Sequence, residues 1–292
     1  PNLPGGGVYL VVWEDDRNAA MFGTDLFAAR VRPDGTFVPA DAAGVSFLEA
    51  AVRSGDQVQA SVTYAASASP PVHFIVWTDP RNGPTDLYGA RFITSTMTAI
   101  ESSGFRITSS AGDSDAFPSV AFGGTNYLVA YQTNAAGGLE INVQRILAQI
   151  GLDGPPVRAS SAAGLNPAVV AEGGRFVLGF ETALGGLRAG AVPEVGTIGS
   201  VTTSTLSTST SAQSLVRLAP LGQDLLAVWQ DARNADRDIY GVRIDPATLM
   251  PRGRDFAIAR ARNDQLAPDI AGDAQGTLAV WQDRRNTATN AQ

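Results

Sequence analysis

One phrase recurs along this chain and narrows what it can fold into. Val12-Trp13-Glu14-Asp15-Asp16-Arg17-Asn18 returns as Val76-Trp77-Thr78-Asp79-Pro80-Arg81-Asn82, as Val228-Trp229-Gln230-Asp231-Ala232-Arg233-Asn234 and as Val280-Trp281-Gln282-Asp283-Arg284-Arg285-Asn286. Two degenerate copies fill the middle, Val129-Ala130-Tyr131-Gln132-Thr133-Asn134 and Leu178-Gly179-Phe180-Glu181-Thr182. The aromatic anchors at 13, 77, 131, 180, 229 and 281 are spaced by 64, 54, 49, 49 and 52 residues. A period near fifty means stacked or ring-closed repeats.

Within each repeat, short apolar strands are broken by Gly, Asn and Asp, and no helical period persists. Four strands fit. The first is a Pro-x-Val/Ile-Ala segment (Pro118 to Ala121, Pro167 to Val170, Pro268 to Ala271), and the second carries the anchor. The third begins with Asp at Asp25-Leu26-Phe27, Asp86-Leu87-Tyr88 and Asp238-Ile239-Tyr240, and the fourth is weaker, as at Phe105-Arg106-Ile107 and Phe256-Ala257-Ile258. The predicted fold is therefore all-β: one β-propeller over residues 1–292, with about six four-stranded blades. The chain enters just before a second strand and leaves just after one, so both terminal blades are expected to be incomplete. The favoured expectation is a piece of a longer protein; the other is open edges that accept strands from a neighbouring chain in self-assembly.

The phrase Trp-x-Asp-x-Arg-Asn, followed by Asp-Ile/Leu-Tyr, resembles the TolB-like propeller repeat of bacterial and archaeal cell-surface proteins, over nearly the whole chain. The resemblance implies a propeller; it does not choose among the structural, adhesive, protein-binding and enzymatic roles such propellers serve. Blades 3 and 4 depart from the pattern, with Thr133 and Thr182 in place of the Asp and no matching Arg.

Composition narrows the partners. The formal charge is −7, so the long-range field repels nucleic acid and anionic lipid. No run of eighteen apolar residues is present, which argues against membrane insertion by a helix. The 21 basic residues are all Arg and cysteine is absent, the first a mark of a GC-rich coding sequence and the second excluding disulfide and thiolate chemistry.

The recurrent polar constellation is the hairpin Asp15, Arg17, Asn18; Asp79, Arg81, Asn82, Asp86; Asp231, Arg233, Asn234, Asp238; and Asp283, Arg285, Asn286. Carboxylate and amide oxygens on one loop suit calcium, and Arg beside Trp suits a sugar. The same residues suit a hairpin brace: Asp accepts turn N–H groups, Asn tolerates left-handed dihedrals and Arg bridges to a carboxylate. A group repeated in most blades answers a folding problem that every blade shares, which favours the brace. No cofactor is required.

The Trp residues read as core wedges between blades. His73, the sole histidine, is expected at a solvent-facing strand start after Pro70-Pro71. A pair of acids could serve glycoside hydrolysis, with Asp113, Asp115, Glu172, Asp264 and Asp273 near the first-strand turns, but nothing selects a pair and no Ser-x-Asp-x-Gly-x-x-Trp box is present. The insertion from Pro39 to Gly55 holds Phe47 to Val52 as a short helix or strand, and Thr202 to Ser211 reads as a fourth strand or an outer loop. The expected function is non-enzymatic: a secreted or cell-surface module that binds protein or carbohydrate or builds a surface assembly. The alternatives are a multivalent lectin with repeated blade sites and an extracellular glycoside hydrolase or lyase.

Overall fold

The structure is a computed structural model that describes residues 7–41, 44–46, 55–109, 112–149, 151–160, 163–273 and 276–286. The segment Phe47 to Val52 lies outside them. Apart from the turn of helix Ala19–Phe22 and the short 3-10 turn Pro39–Asp41, the described elements are strands. Their antiparallel sheets are the blades of a β-propeller, with four strands where the repeat is complete.

The chain divides into two compact units, 1–120 and 121–292. In the first, blade 1 pairs Tyr9–Asp15 with Asp25–Val31 and Val45–Ser46. Blade 2 runs Val58–Ala65, Val72–Asp79 and Asp86–Ile93, with Thr98–Ala99 and Phe105–Arg106 both on the outer edge of the third strand. The strand Ser114–Phe122 carries the division between the units.

In the second unit, blade 3 contributes Asn126–Ala135, Gly138–Leu147 and Val157–Arg158. Blade 4 is Gly164–Glu172, Arg175–Thr182, Leu187–Pro193 and Thr203–Thr205, so the threonine-rich run resolves as a three-residue fourth strand. Blade 5 is Gln213–Leu221, Asp224–Asp231, Asp238–Ile244 and Phe256–Ala259, and blade 6 shows Gln265–Gly272 and Thr277–Asp283.

In blades 2 to 5 the second and third strands lie inside the sheet and are covered on both faces, hence their nearly continuous apolar runs. Val72–Asp79 is buried at every position. Trp77 and Trp229 are fully buried, each contributing roughly 2–3 kcal/mol by area, whereas Trp13 and Trp281 in the end blades are only half-buried. The Gly after the third-strand Tyr has a packing reason. A Cβ on Gly89 would stand 2.7 Å from the Phe74 ring, and one on Gly241 would stand 3.0 Å from the Ala227 carbonyl.

Each described first strand also carries a residue with a left-handed backbone: Gln59, Phe117, Asn166, Leu215 and Ala267. In blades 2, 4, 5 and 6 it sits within a bulge against the second strand. The N–H freed by the bulge is captured from the preceding blade. Glu14 Oε1 accepts from Gln59 N at 2.8 Å, Gln59 Oε1 from Phe117 N at 2.8 Å, Glu181 Oε1 from Leu215 N at 2.6 Å and Gln230 Oε1 from Ala267 N at 3.1 Å. Glu14, Glu181 and Gln230 each follow an anchor, so the repeat phrase also carries the clasp that joins consecutive blades within a unit.

Candidate functional site

The predicted hairpin residues converge in each braced blade. In blade 5, Asp231 Oδ1 accepts from the Arg233 N–H at 2.8 Å and from Ser211 Oγ at 2.7 Å. Its Oδ2 accepts from Trp229 Nε1 at 3.0 Å, Gln213 Nε2 at 2.9 Å and Arg233 Nη2 at 2.6 Å. Burial alone would raise the Asp231 carboxyl, but the bonds from Arg233, Ser211, Trp229 and Gln213 outweigh it and hold it well below the usual range. The Arg233 guanidinium lies 3.9 Å from the Tyr240 ring centroid and bonds Asp255, while Asn234 Nδ2 donates to Asp238 at 2.5 Å and to the Tyr240 hydroxyl at 3.2 Å.

Blade 2 repeats this. Asp79 accepts from Trp77 Nε1 at 3.1 Å, from Arg81 N at 2.9 Å and from Arg81 Nη2; Arg81 stacks 4.1 Å from the Tyr88 centroid; Asn82 donates to the Tyr88 hydroxyl. Blade 1 has the same arrangement at Asp15, Arg17, Trp13 and Phe27. Asn18 there precedes the short helix without capping it through its side chain. In blade 6, Asp283 takes the Arg285 N–H and guanidinium, whose bonds pull its pKa down to about 2.

A second acid stands opposite the first across the strands in three blades: Asp15 faces Asp25, Asp79 faces Asp86 and Asp231 faces Asp238. Such a like-charge pair needs cations beside it. In blade 2, Arg106 from the fourth strand lies 2.6 Å from Asp86, whose carboxyl burial pushes upward. In blade 5, Arg260 lies 3.7 Å from Asp238 and is 60% exposed. Arg106 lies within its fourth strand and Arg260 just past the end of its own, so no motif linked them in the sequence.

Arg260 opens onto a cleft of about 400 Å³ lined by Asn234, Ala235, Asp236, Asp238 and Ala261. Asp236 Oδ2 accepts from Asn263 N at 3.0 Å, which pins that wall. The cleft thus joins two predicted residues, Asn234 and Asp238, to two unanticipated ones, Asp236 and Arg260.

The candidate acids near first-strand turns serve elsewhere. Asp264 accepts from Arg237 N at 3.0 Å, Asp273 closes its turn onto Gly276 N at 3.1 Å and Asp115 is buried. His73 corrects an expectation: it is 7% exposed, its ring tilted against that of Tyr64 with centroids 4.8 Å apart, and bonded to Thr94 Oγ1 at 3.1 Å. Central pairing with Tyr64 and Phe92 buries it, and burial brings its pKa down to about 4. Among the described residues no group of three His, Cys, Asp or Glu side chains could hold a metal ion, so the calcium expectation finds no donor set there. No helix among them is long and apolar enough to cross a membrane.

No family model matches the chain, and no curated protein matches it in sequence. Solved structures do match. A mutant of Trypanosoma rangeli sialidase displaying trans-sialidase activity superposes with a TM-score of 0.52 at 8% identity, covering 79% of this chain and 44% of that one. A mutant exo-β-1,3-galactanase from Phanerochaete chrysosporium with β-1,3-galactotriose gives 0.50 at 11% identity, covering 87% and 64%. The chain therefore spans about two thirds of the galactanase and less than half of the sialidase. At these identities the likeness shows the fold, a β-propeller. It also overturns the expectation of a non-enzymatic protein. That expectation rested on finding no catalytic motif, yet the solved structures on the same fold include an exo-β-1,3-galactanase and a sialidase.

Proposed function

We propose that the chain is a glycan-recognising β-propeller that acts outside the cell, with a sugar subsite in the blade 5 hairpin cleft. The observation that carries this is the cleft's lining: the Arg260 guanidinium donates, the Asp236 and Asp238 carboxylates accept, and the Ala235 and Ala261 methyl groups provide an apolar wall. Vicinal sugar hydroxyls offer donors and acceptors at that spacing, and a pyranose ring has an apolar face. The brace behind it, with Arg233 locked between Asp231, Asp255 and Tyr240, keeps the loop rigid. The glycan-bound galactanase supports carbohydrate as the ligand class. Hairpins of the same type in blades 1 and 2 give room for repeated weak sites, with avidity from several. The TolB-like resemblance remains our reading of where the repeat comes from.

The test is a neutral oligosaccharide array read alongside reducing-sugar release, on the wild type and on Arg260→Ala and Asp236→Ala. We expect binding of galactose-type glycans, weakened at least fivefold in both variants with melting temperature unchanged. A wild type that neither binds nor cleaves any glycan on the panel sinks the reading.

A further inference from the structure

We propose that the second unit holds a further sugar site, for a neutral hexopyranose, in the groove between blade 4 and blade 5, where blade 4 lacks an arginine that the other full blades carry. The ligand class rests on the glycan reading above; the site itself does not.

The register defines the missing residue. Anchors 13, 77, 131, 180 and 229 face Phe27, Tyr88, Asn142, Arg188 and Tyr240 on the third strand. Three residues further on stand Arg30, Arg91, Arg145 and Arg243, but in blade 4 the residue is Ala191. In two of these blades the arginine reaches the next one. Arg30 donates to the Ser95 carbonyl at 2.6 Å, and Arg145 to the Pro193 carbonyl at 3.0 Å and to that of Gly196. Each is held by an acid of its own blade, Asp41 or Asp153, at 2.6 Å.

In blade 4 the same place is a cavity of about 560 Å³. Ala191 and Pro193 form one wall. Pro246 and Ala247 form another, and they hold the register positions that Thr94 and Ser95 hold in blade 2. A second internal filler is missing as well. One groove earlier, the Glu194 carboxylate plugs the first hairpin of blade 3, accepting from Thr125 N at 2.6 Å and Asn126 N at 3.2 Å. Six residues beyond the anchor-facing position, where blade 4 has Glu194, blade 5 has Pro246.

The groove has therefore lost both a multiple donor and a multiple acceptor. Its remaining polar side chains are Glu172 and Arg175, which face each other across the blade 4 hairpin and have no partner among the described residues. Their charges cancel, so a charged ligand gains little net attraction, whereas a polyhydroxylated ring satisfies both. Hydroxyls take the donor role of the absent arginine toward the Pro246–Ala247 loop and Glu172, and ring or hydroxyl oxygens accept from Arg175. The two prolines and Ala191 meet the ring's C–H face. The volume lies within the range of small-ligand sites.

Restoring the arginine tests this. Saturation-transfer NMR with a panel of methyl hexopyranosides is run on the full chain, with Arg260→Ala as background so that the contribution of the hairpin cleft is reduced. We expect Arg260→Ala to keep a saturable signal, and Ala191→Arg added to it to weaken binding at least tenfold with an equal or higher melting temperature. Glu172→Gln, which leaves packing intact, is expected to weaken the same signal about threefold. Binding unchanged in both added variants overturns the site, as does a complete loss of signal in Arg260→Ala alone while the wild type binds. A wild type that binds no hexopyranoside overturns this proposal together with the glycan reading.

Discussion

Blades 2 and 5 carry the Asp–Arg brace; blades 3 and 4 replace it with threonine, and the difference follows the loop each must hold. In blades 2 and 5 the hairpin spans residues 80–85 and 232–237 between facing aspartates. Blade 3 turns in two residues between Ala135 and Gly138, and blade 4 in residues 182–186. The shorter turn of blade 4 satisfies a backbone group with its threonine, Thr182 Oγ1 accepting from Gly186 N at 3.1 Å, and in blade 3 Thr133 Oγ1 is left to accept from the Asn142 side-chain amide across the strands at 2.8 Å. A six-residue loop leaves N–H groups that need an acceptor, and a buried carboxylate supplies it at the cost of requiring a cation. The repeated polar phrase is thus a device for carrying long hairpins, and the cleft at Arg260 is found on one of them.

The largest expected effect separates the two kinds of blade. Asp231→Ala strands the Trp229 N–H and frees Arg233 from its closest carboxylate, and urea denaturation is expected to show a loss of roughly 3–5 kcal/mol. Thr133→Ala, at the matching position of blade 3, is expected to cost about 1 kcal/mol; equal losses at the two positions break the comparison. Between these lies His73 in blade 2. Its folded pKa, about 4, is below the unfolded 6.5, so the unfolded chain binds the extra proton. Stability is full above pH 6.5 and falls as pH drops toward 4, by about 3 kcal/mol in all. His73→Gln is expected to flatten the melting profile in that window, and a profile unchanged by the substitution contradicts the burial argument. The smallest effect belongs to Asp283 in the half-covered last blade, where Asp283→Asn is expected to lower the melting temperature less than Asp231→Asn does.

How much of this was legible depended on distance along the chain. The blades, the second-strand Trp wedges and the members of each hairpin constellation lie within a few residues of one another, and their period announces them. The left-handed residues Gln59, Phe117, Leu215 and Ala267 did not stand out, because a side chain from the preceding blade captures the N–H of each. His73 was misplaced because Pro70 and Pro71 suggest a surface, whereas its two strand partners cover it. The blade 4 cavity was legible in principle: aligning third strands sets Ala191 against Arg30, Arg91, Arg145 and Arg243, an absence that a search for motifs passes over.

A double-mutant cycle on Asp231 and Arg233, read by urea denaturation, tests most directly that the repeated constellation holds the hairpin. The two groups share a buried carboxylate oxygen at 2.6 Å, so the predicted coupling is about 2 kcal/mol or more, with the double variant little worse than Asp231→Ala alone. A coupling below about 0.5 kcal/mol, with additive single losses, would contradict it.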